Sequence, residues 1–238
     1  MKRRDILKGA LVAGAFAAFP GRALAQEAEQ QFDKAFGLEP VPPQPPLDPA
    51  LAAPAEPVLP TAIIPDPAYD RRVLEIAARE RDRAGAALWR RDIVGIADFA
   101  RPSTLPRLHF ANLESGTLRS FYVAHGRGSD REHSGFLHSF SNEVGSEATS
   151  RGAYLTCEWY TGKYGTSIRL EGLDQDNSRA LDRAIVMHPA WYANPDIIAR
   201  QGKLGRSEGC FAMAPDQFNE ALWHLSGGRL LYADRIEV

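Results

Sequence analysis

Proline placement decides where this chain can fold. Eleven of its seventeen prolines lie at positions 40, 42, 43, 45, 46, 49, 54, 57, 60, 65 and 67, with alanine filling much of the space between them. Each proline fixes φ and removes a backbone donor, so neither helix nor sheet can run through such a stretch. Residues 26–67 therefore read as an extended, partly polyproline-II spacer. The folded domain is expected over residues 68–238.

Ahead of the spacer, Met1-Lys2-Arg3-Arg4-Asp5-Ile6-Leu7-Lys8 leads into an apolar run from Gly9 to Phe19 and then Ala23-Leu24-Ala25. A charged start, a short apolar core and an Ala-x-Ala site read as a signal peptide over residues 1–25. The apolar run is too short to cross a bilayer as a helix. Arg3-Arg4 followed by Asp-Ile-Leu-Lys resembles a twin-arginine signal, which exports folded proteins; an ordinary signal with two arginines is the alternative. Without residues 1–25 the chain carries 23 positive against 29 negative residues, a net charge of −6. That balance argues against nucleic acid or anionic membrane as a partner. The expectation is a monomer in the periplasm or cell envelope, off the membrane once its signal is removed.

Ala68 to Arg91 has the pattern of an amphipathic helix, with Val73, Leu74, Ala77, Ala78 and Leu88 on one face and charges on the other. From Ile93 onward the pattern changes to short strands: Ile93–Phe99, Leu108–Asn112, Thr117–Val123, Gly152–Trp159, Thr166–Leu170, Ala184–His188 and Leu230–Tyr232. Asp196–Gln201 and Pro215–Leu225 read as short helices. The fold class is mainly β with small helices, in one domain.

His188 ends the apolar run Ala184-Ile185-Val186-Met187, and Pro189 keeps it out of a helix. Further on stands Gly205-Arg206-Ser207-Glu208-Gly209-Cys210. A thiol attacks carbonyls as thiolate and needs a base or a positive charge to lose its proton, so His188 and Cys210 are the candidate base and nucleophile. Gly209 leaves the backbone amides near Cys210 free to approach a substrate carbonyl as an oxyanion hole. Arg206 and Ser207 are candidate substrate contacts, Arg206 as a clamp for carboxylates. Glu208 would raise the thiol pKa if it faced the sulfur, so it is expected to turn toward Lys203 or Arg206. Cys157 and Cys210 are the only cysteines, and in an oxidising compartment two cysteines can equally form a disulfide. His125, His133 and His138 lie in one Gly/Ser-rich stretch without zinc-ligand spacing. His125 is expected to line the cleft and the other two to be solvated. Trp159-Tyr160 and Trp191-Tyr192 are either core aromatics or stacking surfaces.

The Gly-Arg-Ser-x-Gly-Cys signature resembles one branch of the L,D-transpeptidases (YkuD-like) of bacterial cell walls. The same branch is similar upstream, at Ala124-His125-Gly126-Arg127-Gly128, Ser139-Phe140-Ser141-Asn142 and Arg169-Leu170-Glu171-Gly172-Leu173, so the resemblance covers roughly residues 93–238. The chain departs from the family pattern at Glu208, Pro189, Phe211 and Ala212. The resemblance implies a β-sandwich of mixed strands, with Cys210 as nucleophile and His188 as base, and neither cofactor nor metal. It also implies peptidoglycan stem peptides as substrates, joined through their third residues by way of a Cys thioester. Three alternatives stay open: an L,D-carboxypeptidase, another Cys-His wall peptidase or amidase, and a catalytically inactive wall-binding domain.

Overall fold

The computed structural model describes residues 66–236. The signal peptide and all but the end of the spacer lie outside the described residues.

Helix α1 (Pro67–Ala84) starts where the last proline of the run can be used, at the first helical turn. Asp66 caps it, its carboxylate accepting from Ala68 N at 3.0 Å and Tyr69 N at 3.1 Å. The helix stops seven residues short of the expected Arg91. Gly85 takes φ +52 and its N–H closes on Arg81 O, and residues 85–87 make one 3₁₀ turn. Leu88, expected on the helix, is buried from the extended chain that follows.

Eight strands follow: β1 (Ile93–Asp98), β2 (Leu108–Asn112), β3 (Thr117–Phe121), β4 (Gly152–Gly162), β5 (Gly165–Gly172), β6 (Val186–Pro189), β7 (Phe211–Met213) and β8 (Leu230–Asp234). They form one mixed sheet in the order β3-β2-β1-β8-β4-β5-β6-β7. The β1–β8 and β6–β7 pairs are parallel and the rest antiparallel. Two short helices, α2 (Pro195–Gln201) and α3 (Phe218–His224), flank β7 in sequence. The expected strands all form, with ends shifted by up to three residues. β7 is the strand that sequence patterning did not find.

Both faces of the sheet are covered, and every residue of β1 is buried. On one face Tyr69, Val73, Ile76 and Ala77 of α1 join Val94, Ile96, Ala111, Leu155 and Leu230 in one apolar cluster. On the other, Phe110, Tyr154, Ile168, Leu170, Met187, Phe211 and Leu231 belong to a single larger cluster with Phe218 and Ala221 of α3. β2 and β7 lie near opposite ends of the strand order yet share this core, so the sheet curls and its two halves face each other. Each fully buried Leu, Ile or Phe contributes about 1.5–3 kcal/mol to this closure. A buried polar relay ties α1 to the sheet. Tyr69 Oη donates to Asp98 at 2.8 Å and meets His109 Nε2 at 2.8 Å, while His109 Nδ1 meets Ser120 Oγ at 2.8 Å. Among the described residues, no helix is long and apolar enough to cross a membrane.

Candidate active site

β6 and β7 run side by side, which brings His188 and Cys210 onto neighbouring segments of the chain. The register pairs Met187 with Phe211 and His188 with Ala212, so Cys210 heads β7 two residues before the position opposite His188. The chain at 124–126 pairs with the same region: Ala124 N donates to Ala212 O at 2.8 Å, and Gly126 bridges Ser207.

The turn before the thiol is built on Ser207. Its Oγ donates to Cys210 O at 2.6 Å and accepts from Gly209 N at 3.2 Å, and its own N–H donates to His125 O at 2.9 Å. Gly209 takes φ +116, and a Cβ there would lie 2.8 Å from Ala148 O and 2.9 Å from Ile185 Cδ1. A Cβ on Gly126 would likewise fall 2.7 Å from the Gly209 backbone. The cysteine is thus presented by two backbones packed against each other without side chains between them.

Cys210 is nearly enclosed, 7% exposed, and its thiol donates to Ala184 O at 3.7 Å rather than to His188. Ala184 holds φ +50, a left-handed position uncommon for a residue with a side chain, at the entry to β6. Burial pushes the thiol up to about 11, against a Val186 N–H that favours the thiolate; Glu208 adds to the rise. His188 is also buried, and burial pushes its imidazole down to about 4. Its Nδ1–H donates to Pro189 O at 3.0 Å, which leaves Nε2 as the basic nitrogen. Tyr164, at the tip of the β4–β5 hairpin, stacks on the imidazole at 4.4 Å and 24°, and Tyr192 meets it edge-on at 6.5 Å. Both groups are neutral at pH 7 in this arrangement.

Several expected roles change. Gly209 N–H is taken by Ser207 Oγ and is not available to an oxyanion. Ser207 is buried inside the turn and shapes it rather than facing a substrate. Arg206 donates to the carbonyls of Asp130 and Arg131, so its guanidinium staples two loops. Glu208 is exposed and turns to Arg127 at 3.5 Å, not to Lys203 or Arg206. Cys157 and Cys210 are both free, with Cys157 half-buried in β4.

His125 does not line the cleft. It is buried behind the Ser207 turn, its Nδ1 accepting from Arg107 at 2.6 Å and its Nε2 3.4 Å from Asp130. His133 is half-buried and donates to Leu204 O at 2.8 Å. His138 stays exposed, bonded to Ser134 Oγ at 2.8 Å. No group of three or more His, Cys, Asp or Glu among the described residues could hold a metal ion. Of the aromatic pairs, Tyr192 reaches His188 and Trp191 packs on Tyr192, whereas Trp159 is exposed on β4. Sequence reasoning missed Tyr164, whose only signal was the hairpin tip Lys163-Tyr164-Gly165. It also missed Arg183, which no motif in the sequence marks.

The family described as the L,D-transpeptidase catalytic domain matches residues 66–233. Among curated proteins none matches. Among solved structures the chain is similar to an L,D-transpeptidase from Mycobacterium smegmatis, at 14% identity and TM-score 0.36, with 60% of this chain and 58% of that one covered. It is similar to L,D-transpeptidase 1 of Mycobacterium tuberculosis at 12% identity and TM-score 0.33, covering 60% and 61%. It is also similar to the helical cell shape determining protein Pgp2 of Campylobacter jejuni, at 14% identity and TM-score 0.40, covering 73% and 58%. The chain spans about three-fifths of the length of each of these proteins.

Proposed function

The chain belongs to the L,D-transpeptidase catalytic domain family, and from that footing we propose that it is an exported cysteine acyltransferase that crosslinks peptidoglycan stem peptides. Its substrate is a donor tetrapeptide stem, and its field of action is the periplasm. The export address is supported by the charged, apolar and Ala-x-Ala pattern of residues 1–25.

In this reading the thiol gives up its weak bond to Ala184 and passes its proton to His188 Nε2 as the sulfur attacks the carbonyl of the third stem residue. The Cys210 amide receives the oxyanion, since the Gly209 amide is engaged. The intermediate collapses to a thioester, and the imidazolium returns its proton to the departing D-alanine. The amine of a neighbouring stem then attacks the thioester, His188 takes up its proton, and the thiol is restored. Water in place of the amine would give a carboxypeptidase. The single observation that carries this reading is the tautomer of His188. With Nδ1–H fixed on Pro189 O, the basic Nε2 stands on the strand next to the thiol. A resting pair in which both groups are neutral calls for proton transfer during attack rather than a preformed ion pair.

A second reading, a catalytically inactive wall-binding domain, draws on the thiol's enclosure and its bond to Ala184. Purified protein incubated with a tetrapeptide muropeptide, with products read by mass, separates the readings. The expected outcome is loss of D-alanine together with dimers joined through third residues. A carbapenem adduct should form on Cys210, and both results should vanish in Cys210→Ala. D-Alanine loss without dimers would mean a carboxypeptidase. Neither product nor adduct from the wild-type chain would leave the binding domain.

A further inference from the structure

Arg183 is a part-buried guanidinium whose hydrogen bonds all go to neutral oxygens. Its Nη1 donates to Ser141 O at 2.7 Å, and its Nη2 to Ser146 Oγ at 3.3 Å and to Ala148 O. Among the described residues no carboxylate lies within ion-pair distance of it, and Glu143 favours its charge only from further off. A part-buried cation without a directly paired anion is well placed to stabilise a negative charge that forms nearby. The missing side chain of Gly209 shows where the guanidinium sits: a Cβ there would lie 3.1 Å from Arg183 Nη2 and 2.8 Å from the Ala148 carbonyl that Nη2 holds. The signature glycine thus leaves room, one residue before the thiol, for a positive charge and the loop it gathers. Arg183 also immediately precedes Ala184, whose carbonyl holds the resting thiol.

We propose that Arg183 is the positioning cation of the nucleophile: its charge stabilises the Cys210 thiolate once the proton has left for His188, and its fork holds the 141–148 loop against the cysteine turn. The inference rests on Cys210 being the nucleophile. Burial opposes ionisation of the sulfur, and Arg183 acts against that burial, while the sulfur in turn favours the charged guanidinium. The other titratable groups around the sulfur divide. Glu208 opposes the thiolate, Lys163 on the β4–β5 hairpin favours it, and Tyr154, Tyr164 and Tyr192 face it as neutral groups. Lys163 approaches from an exposed hairpin tip, where solvent screens its charge, so the part-buried Arg183 is the stronger partner.

The test uses the full chain with Cys157→Ser, which leaves Cys210 as its one thiol. Alkylation by iodoacetamide is followed from pH 7 to 9.5, where the rate rises with the thiolate fraction. Arg183→Gln should displace the logarithmic rate line by about one pH unit to the alkaline side, so that alkylation at pH 8 falls about tenfold. Arg183→Lys, which keeps the charge and loses the fork, should retain most of the wild-type rate while lowering the melting temperature. An unmoved line in Arg183→Gln, or equal displacement in the Gln and Lys variants, would overturn the proposal and leave Arg183 a loop staple. Carbapenem adduct formation in the wild type, and its loss in Cys210→Ala, test the nucleophile separately. The alkylation line can move or stay whatever that result.

Discussion

Replacing Gly209 by alanine would set a methyl group 2.8 Å from Ala148 O and 2.9 Å from Ile185 Cδ1, at a φ of +116 that side chains avoid. The expected cost is about 2 kcal/mol or more, read as a lower urea midpoint, with slower alkylation of Cys210 because the turn no longer presents it. A midpoint equal to wild type would show that the turn can relax without loss. At this scale the sequence was most legible for residue types and least for their roles. A cysteine behind a glycine and a histidine closing an apolar strand have few structural uses, so Cys210 and His188 stood out. Ser207, Gly209 and Arg206 were recognisable as a turn. What each does, however, depends on which oxygen or N–H it meets across the loop, and those partners, His125 O and the carbonyls of Asp130 and Arg131, are far away in sequence. Arg183 left no trace at all, since nothing in a one-dimensional pattern tells a part-buried guanidinium from one on a solvated face.

The β4–β5 hairpin and α1 show what an element adds beyond its residues. The hairpin carries Tyr164 over His188 and so keeps water from the imidazole. Burial holds that histidine near 4, below its ordinary value of 6.5, so it stays a neutral base down to that pH. Tyr164→Ala opens the ring to solvent and should move the pKa upward, toward the ordinary value. The acid limb of carbapenem acylation would then shift upward by about one unit, with about half the activity lost at pH 5 and activity kept at pH 8. A limb that stays in place would mean that strand packing alone dries the imidazole. Helix α1 was legible from its apolar stripe, but its end was not. The stripe continues to Leu88 because that residue is buried too, from a chain that Gly85 has already turned out of the helix. β7 was missed for the opposite reason: three residues are too few to show alternation, and all three are buried.

Across the whole molecule, three histidines are enclosed in their neutral form: His109 against α1, His125 behind the cysteine turn, and His188 in the site. Burial is the first cause of the depression in each, to about 3, 3 and 4. The unfolded chain takes up a proton at each near pH 6.5, while the folded protein refuses it until the lower value. Stability is therefore full above about 6.5 and falls as the pH drops toward 4, by up to about 1.4 kcal/mol per pH unit for each histidine. Urea midpoints between pH 7 and 4.5 should show this fall, and His109→Gln should make it shallower. A pH-independent midpoint would mean that these sites open locally before the domain unfolds. A mainly β fold with small helices was legible from strand spacing, but the strand order was not, because it rests on pairings between distant segments. The last of the eight strands supplies the clearest case. β8 lies in the middle of the sheet, pairing with β1 from Val94–Leu230 onward on one side and with β4 on the other. During synthesis, then, β1–β3 and β4–β7 emerge as two half-sheets, each with an unpaired edge that has nothing to close on. A ribosome paused anywhere before Leu230 would hold a divided, adhesive intermediate, and the chain becomes one cooperative unit only when its final strand slides between the halves.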